Sequence, residues 1–185
     1  MRKIIYAQLV SLDGYIEGPD GKIDWTEPGE ELHRHFNELE KNTDINFYGR
    51  RLSEVMDFWL TADKNQDLKE YEREYARLWQ ETERIVFSKT LDKVEGKAEI
   101  RREVDPEEIN KLKNQPGKDM AVGGAGLASV FIKHGLVDEC QLYIHPVIVG
   151  GGKPMLPKME QKINLDLVEM REFSCGVIML KYQII

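Results

Sequence analysis

The stretch Met120-Ala121-Val122-Gly123-Gly124-Ala125-Gly126-Leu127-Ala128-Ser129-Val130-Phe131-Ile132-Lys133-His134-Gly135 decides how the rest of the chain is read. A short apolar run ends in a glycine cluster, and an amphipathic segment follows until Gly135 stops it. A second run, Glu139 to Val149, is β-like and ends in Gly150-Gly151-Gly152. The order is strand, glycine turn, helix, strand, glycine turn. A helix that starts at a glycine turn presents backbone N–H groups without intrahelical partners and the positive end of its dipole. Such a start suits a phosphate. Gly123-Gly124-Ala125-Gly126 is not the Gly-x-Gly-x-x-Gly dinucleotide pattern, which would follow the first strand of the chain rather than a late one.

Upstream, three further segments repeat the strand-then-turn pattern. Lys3 to Ser11 is an apolar run of buried-strand length, leading into Leu12–Gly21, where Gly14, Gly18, Pro19 and Gly21 mark a loop. Asp13 is the notable acid there, a candidate substrate-side or proton-relay group. The glycines make residues 14–24 a candidate lid. Asp44 to Tyr48 is a short strand ending at Gly49-Arg50-Arg51, and a helix is predicted from Arg51 to Trp59. Two arginines at a helix start oppose its dipole, and an anion would relieve the conflict. Arg84 to Ser88 is a third strand, ending at Ser88-Lys89-Thr90. In an open parallel sheet the ligand crevice lies at the carboxyl ends of the strands. The four strand ends are therefore expected to meet. They would bring together Arg50, Arg51, Lys89, the Ser88 hydroxyl and a helix N-terminus. That is chemistry for a multiply charged anion, such as a nucleotide with phosphates at two places.

The remaining elements complete an α/β pattern. Glu30 to Lys41 is a helix with Leu32, Phe36 and Leu39 on one stripe, which leaves His33 and His35 to solvent. Asp67 to Glu83 is a charged helix with Tyr71, Tyr75, Leu78 and Trp79 on one face. Lys97 to Val104 reads as an edge strand. Asp105-Pro106-Glu107-Glu108 opens a helix with an aspartate cap, proline first and acids in the first turn. A proline-containing loop spans Lys153 to Pro157. Ile163–Phe173 and Val177–Ile184 form a terminal antiparallel hairpin around Ser174-Cys175-Gly176. The prediction is one domain over residues 1–185, with a mixed sheet, parallel in its middle, between helices on both faces.

Composition narrows the function. A chain of 185 residues buries roughly 70% of its unfolded surface and needs no metal or disulfide to hold it. A net charge of −7 argues against nucleic acid or an anionic membrane as partner, while leaving room for a local basic site. The two cysteines, Cys140 and Cys175, form no Cys-x-x-Cys pair and read as small reduced hydrophobes. The first apolar run is too short for a signal peptide, and no run approaches the ~20 residues of a membrane span. A cytoplasmic protein is expected.

Ser11-Leu12-Asp13-Gly14-Tyr15-Ile16, Gly49-Arg50, Ser88-Lys89-Thr90-Leu91, Val122-Gly123-Gly124-Ala125, Gly135-Leu136-Val137-Asp138-Glu139 and Pro146-Val147-Ile148-Val149-Gly150-Gly151-Gly152 together carry a resemblance that spans the chain. The protein resembles the dihydrofolate reductase-like superfamily. Within it, the similarity is to the C-terminal reductase domain of the bifunctional riboflavin-biosynthesis deaminase-reductases. The resemblance implies a three-layer fold with an eight-stranded, mostly parallel sheet and one antiparallel strand near the C-terminus. It implies NADPH-dependent hydride transfer to a small pterin-, pyrimidine- or carbonyl/imine-type substrate, as in a 5-amino-6-(5-phosphoribosylamino)uracil reductase. Gly123, Gly124, Ala125, Gly126 and Leu127 would hold the pyrophosphate. Gly49, Arg50, Arg51, Ser88 and Lys89 would lie near the adenosine ribose and its 2′-phosphate, which favours NADP over NAD. A cis Gly123–Gly124 peptide and a homodimer through Cys140–Val149 and Ile163–Arg171 are also implied. Trp25, Trp59 and, more remotely, His145 are candidates for the substrate pocket. Three departures bear on the substrate. Ala7 stands where riboflavin-pathway reductases carry a lysine, Leu52 where a threonine is common, and Glu30, Glu31 and His33 are out of register with the pterin-binding acid. The alternative reading is a non-catalytic NADP-binding sensor that keeps only the cofactor half.

Overall fold

In the computed structural model, residues 1–156, 158 and 162–185 are described. Pro157, expected in a loop, lies outside them. The chain runs β1 (Ile4–Ser11), β2 (Tyr15–Glu17), α1 (Glu30–Lys41), β3 (Thr43–Gly49), α2 (Arg50–Met56), α3 (Trp59–Ala62), α4 (Glu70–Glu81), β4 (Glu83–Phe87) and β5 (Ala98–Arg101). It continues through α5 (Pro106–Lys113), β6 (Asp119–Gly123), α6 (Ala125–Lys133), β7 (Glu139–His145), β8 (Lys153–Pro154), β9 (Leu165–Glu172) and β10 (Ile178–Ile184). Eight strands form one sheet in the order β5-β4-β3-β6-β1-β7-β10-β9. Neighbours from β5 to β7 are parallel, and β10 runs antiparallel to both β7 and β9. The α/β class, the eight-stranded sheet and the C-terminal hairpin are as the sequence implied.

Helices cover both faces. Phe131 and Ile132 of α6 and Ile109 of α5 pack in the larger core with Ile4, Tyr6, Val10, Phe47 and Val122. On the other face Leu32, Phe36 and Leu39 of α1 meet Tyr143, Phe173 and Met179, with Ala7 and Leu9 of β1 at the border. Even-numbered β1 residues thus face α6 and odd-numbered ones face α1, as strand alternation requires. The α5 cap forms as expected, Asp105 Oδ1 accepting from the Glu107 N–H at 2.8 Å.

Four expectations are corrected. His33 and His35 are not solvated. His33 is buried beneath α4 and α3, with the Tyr71, Tyr75 and Trp59 rings around it and Nδ1 3.3 Å from Asn37 Oδ1. His35 Nε2 lies 2.8 Å from the Tyr143 hydroxyl. The helix packs on two sides because α4 lies over it, and its own periodicity reports only one of them. The helix expected from Arg51 to Trp59 divides at Asp57–Phe58, and Trp59 turns onto Tyr75 at 4.8 Å between ring centroids. The strand expected to Val149 ends at His145, because Pro146 has no N–H for the ladder. Finally, no described peptide bond is cis. Gly124 reverses the chain instead, at φ 83° and ψ 125° with a trans bond.

Candidate functional site

At the carboxyl ends of β1, β3 and β6 the chain leaves the sheet in three directions and opens a cleft of about 740 Å³. One wall is the start of α6, with Gly123, Gly124, Gly126 and Leu127. Gly124 is confined to glycine by its left-handed φ of 83°. A Cβ on Gly123 would collide with the Leu52 side chain. The first helical hydrogen bond runs from the Ala128 N–H to the Gly124 carbonyl at 3.0 Å, so the N–H groups of residues 125–127 precede the ladder. Ala125, between Gly124 and Gly126, is outside the lining, and its methyl packs in the core.

The second wall is the β3–α2 junction, with Gly49, Arg50, Arg51 and Leu52. The dipole conflict predicted for the two arginines is answered by carboxylates. Arg50 Nε pairs with Glu54 at 2.8 Å, and its Nη1 donates to Thr90 Oγ1 at 3.1 Å. Arg51 reaches across the cleft to Glu17 at 3.0 Å. The third wall is the loop after β1, contributing Ile16, Glu17, Gly21 and Lys22, with Gln8 behind it and Lys153 beside it. Lys153 Nζ lies 3.7 Å from Glu17, whose carboxylate therefore stands between two cations. Two of the polar groups here, Glu17 and Lys153, carry no motif in sequence. Lys153 had one signal, its place directly after Gly150-Gly151-Gly152.

That wall is braced. β2 and β8 pair antiparallel, and the Met155 N–H donates to the Gly14 carbonyl at 3.0 Å. Gly152, at φ 121°, lies so close to Glu17 and Gly18 that a Cβ would collide with their backbone. Asp13 Oδ1 accepts from the Val149 N–H at 3.1 Å and Oδ2 from the Gly150 N–H at 2.7 Å. The adjacent Ser11 hydroxyl, followed by these two N–H groups, holds its carboxyl below the ordinary aspartate value. Asp13 is exposed and outside the cleft lining, so the structure gives it the task of fastening the 149–152 turn to the end of β1. Ser88 and Lys89 are also outside the lining. The Ser88 hydroxyl is engaged by the Leu91 N–H at 3.0 Å and the Thr90 N–H at 3.2 Å, while Lys89 is exposed. Their loop adjoins the cleft through the Arg50–Thr90 contact. Trp59 sits with His33 and Tyr75, away from the cleft lining.

A cleft between a glycine-started helix and two arginines, at the carboxyl edge of a parallel sheet, is chemistry for a phosphorylated ligand. Residues 2–179 match the RibD C-terminal domain. The chain belongs to the RibD C-terminal domain family. The uncharacterized protein YyaP of Bacillus subtilis strain 168 is 38% identical over 182 residues, covering 98% of this chain and 94% of the relative. Among solved structures, a Shewanella sp. PV-4 protein with a provisional riboflavin-biosynthesis name superposes at TM-score 0.76 over 99% of both chains, with 21% identity. The Thermotoga maritima diaminohydroxyphosphoribosylaminopyrimidine deaminase/5-amino-6-(5-phosphoribosylamino)uracil reductase superposes at TM-score 0.68 with 16% identity; all of this chain matches 57% of that one. These likenesses place the fold with the RibD reductase domains.

Asp13 supplies a test of the bracing. Its depressed carboxyl means the anchor is complete above the unfolded aspartate value, near ~3.9, and is lost as pH falls through the folded value. The Val149 and Gly150 amide resonances should hold steady through the ordinary aspartate range and move only below it. In Asp13→Ala both amides should exchange several-fold faster while the amides of β1 keep their protection. Unchanged exchange at 149 and 150 would show that the carboxylate does not hold the turn.

Proposed function

We propose that this protein is a reductase that draws NADPH into the cleft and reduces a small nitrogen heterocycle of the pyrimidine type. Family membership supports the reductase class. The observation that carries the cofactor reading is the coincidence, in one cleft, of the α6 start with Arg50 and Arg51. A dinucleotide pyrophosphate fits the N–H groups at residues 125–127, next to glycines that let a ligand approach the backbone. A 2′-phosphate fits the two guanidiniums, which recognise a dianion by charge-assisted hydrogen bonds. When bound, the nicotinamide supplies the hydride. The chain's own residues bind, orient and enclose. Gln8 and Ile16 flank the β1 end of the cleft, and the braced 14–24 loop covers it. Glu17 holds Arg51 in place until a phosphate competes for it. The names of the solved relatives agree with a pyrimidine-type substrate: a pyrimidine reductase-like protein from Corynebacterium diphtheriae superposes at TM-score 0.66 with 14% identity.

The working assembly in this proposal is a homodimer joined through β9 and β10. Among the described residues the α6 side of this hairpin has no helix over it. Leu165, Leu167 and Met170 of β9 and Ile178 of β10 are exposed there, and register puts Leu165, Leu167 and Met170 opposite Ile184, Tyr182 and Leu180. A contiguous apolar sheet face of this kind marks an interface, and a second copy of the same face is self-complementary. β7, expected as part of the contact, lies between β1 and β10, so it offers side chains such as Leu142 and Ile144 but no free strand edge.

Two results are expected. Isothermal titration should show NADPH binding more tightly than NADH. Arg51→Ala should weaken NADPH by about tenfold to a hundredfold, the worth of a charge-assisted contact, and leave NADH nearly unchanged. Equal affinities for the two nucleotides in the wild type would contradict the 2′-phosphate assignment. Light scattering should report a dimer, and Met170→Lys with Leu167→Lys should convert it to a folded monomer; a wild-type monomer would contradict the interface.

A further inference from the structure

One face of β7 carries Glu139, Gln141, Tyr143 and His145, all 5% exposed or less. The first three form a relay. Tyr143 Oη donates to Gln141 Oε1 at 2.7 Å, Gln141 Nε2 donates to Glu139 Oε1 at 2.7 Å, and Lys3 closes the column on Glu139 Oε2 at 3.1 Å. His35 supplies the Tyr143 hydroxyl with its second partner. His145 ends the column at the carboxyl edge of the sheet, and the pattern stops there. Among the described residues its Nε2 is buried with no hydrogen-bond partner. Against it, edge to face at 5.6 Å between ring centroids, lies Trp25, whose Nε1 is likewise buried and unpartnered.

Two orphaned ring nitrogens on rings packed edge to face are unusual. Each buried polar group left without a partner costs stability, and most native ones are satisfied. Their position explains them. Trp25 follows directly on Ile23 and Asp24, which line the cleft. His145 sits opposite Ser11, at the end of the strand whose Gln8 lines the cleft from the other side of the sheet. The pair therefore closes the α1 side of the sheet edge whose α6 side is the cleft. Resting on the reductase reading above, we infer that Trp25 Nε1 and His145 Nε2 are the polar grip for the substrate ring, and that they take a cyclic amide edge. The indole N–H donates to the ring carbonyl, and the imidazole Nε2 accepts from the adjacent ring N–H. Acceptance requires a neutral imidazole, and burial holds His145 below its ordinary value. Because both nitrogens are occluded, the 21–29 segment must shift to admit the ring, and the left-handed Gly21 stands at its start. Trp25 and His145 are positioning residues in this scheme.

The test uses the three tryptophan indole N–H resonances, from Trp25, Trp59 and Trp79, as reporters. With NADP⁺ present, 5,6-diaminouracil is titrated into the ¹⁵N-labelled protein and compared with its 1,3-dimethyl derivative, which keeps the carbonyls but has no ring N–H. The Trp25 resonance should move downfield with 5,6-diaminouracil, and Trp59 and Trp79 should stay. The dimethyl compound should bind about tenfold more weakly, the cost of one lost buried hydrogen bond. Trp25→Phe and His145→Leu should each weaken 5,6-diaminouracil by a similar factor while NADPH affinity holds, and His145→Gln should recover most of the loss. If Trp25→Phe does not fold, the Leu-against-Gln comparison at position 145 decides alone. A still Trp25 resonance at millimolar probe, or variants that bind the probe as well as wild type, with NADPH binding intact, would overturn the grip and leave the reductase reading standing. Loss of NADPH binding in the wild type would overturn both.

Discussion

The close approach of β6 to its neighbours is the constraint on which the ligand edge depends. Gly123 lies against Leu52 and Tyr48 with no room for a Cβ, and Gly124 turns the backbone through a left-handed φ before α6 begins. Together they set the first turn of α6 at the rim of the sheet, level with the β3–α2 junction. A side chain at Gly123 would displace the Leu52 side chain at the rim of the cleft. The cleft is therefore shaped by this glycine turn and the side chains packed on it first, and by its charged residues second. The charges then act in a space already shaped for them.

The opposite wall is built by different means. The loop after β1 has few apolar anchors, so it is held by backbone pairing with β8, by the Gly152 contact and by the Asp13 carboxylate. Arg51 joins the two walls through Glu17. An ion pair across a solvent-filled cleft is weak, of the order of 1 kcal/mol or less. Weakness is useful there, since a ligand phosphate can replace the carboxylate at little cost. The strong fixtures shape the cleft and the weak one crosses it.

Much of this was legible in the sequence wherever local chemistry decides local structure. The α5 cap, the glycine start of α6, the α1 stripe and the terminal hairpin all report through short-range signals. The convergence of Gly49–Leu52 with Gly123–Leu127 followed from strand order alone. Failures occur where a distant element decides. His33 looked solvated because nothing in α1 announces that α4 will cover it. The arginine pair pointed to an anion, but Glu17 lies 34 positions upstream of Arg51 and its approach depends on the β2 turn. Asp13 was read as a substrate-side acid from its motif, and the motif does not announce that its carboxylate accepts from residues 149 and 150. The β-like character of the run from Glu139 to Val149 was visible. That its polar side would be interior, relayed and unfinished at His145 was not, because burial of that side is imposed by α1.

The central claim is that the β3–β6 edge is a cradle for a 2′-phosphorylated dinucleotide. A crystal structure of the protein soaked with NADPH tests it most directly. The expected density places the pyrophosphate against the backbone of Gly124–Leu127 and the 2′-phosphate against the guanidiniums of Arg50 and Arg51, with Arg51 drawn away from Glu17. A nucleotide bound at another surface, or one seated in the cleft with its 2′-phosphate turned away from both arginines, would contradict it.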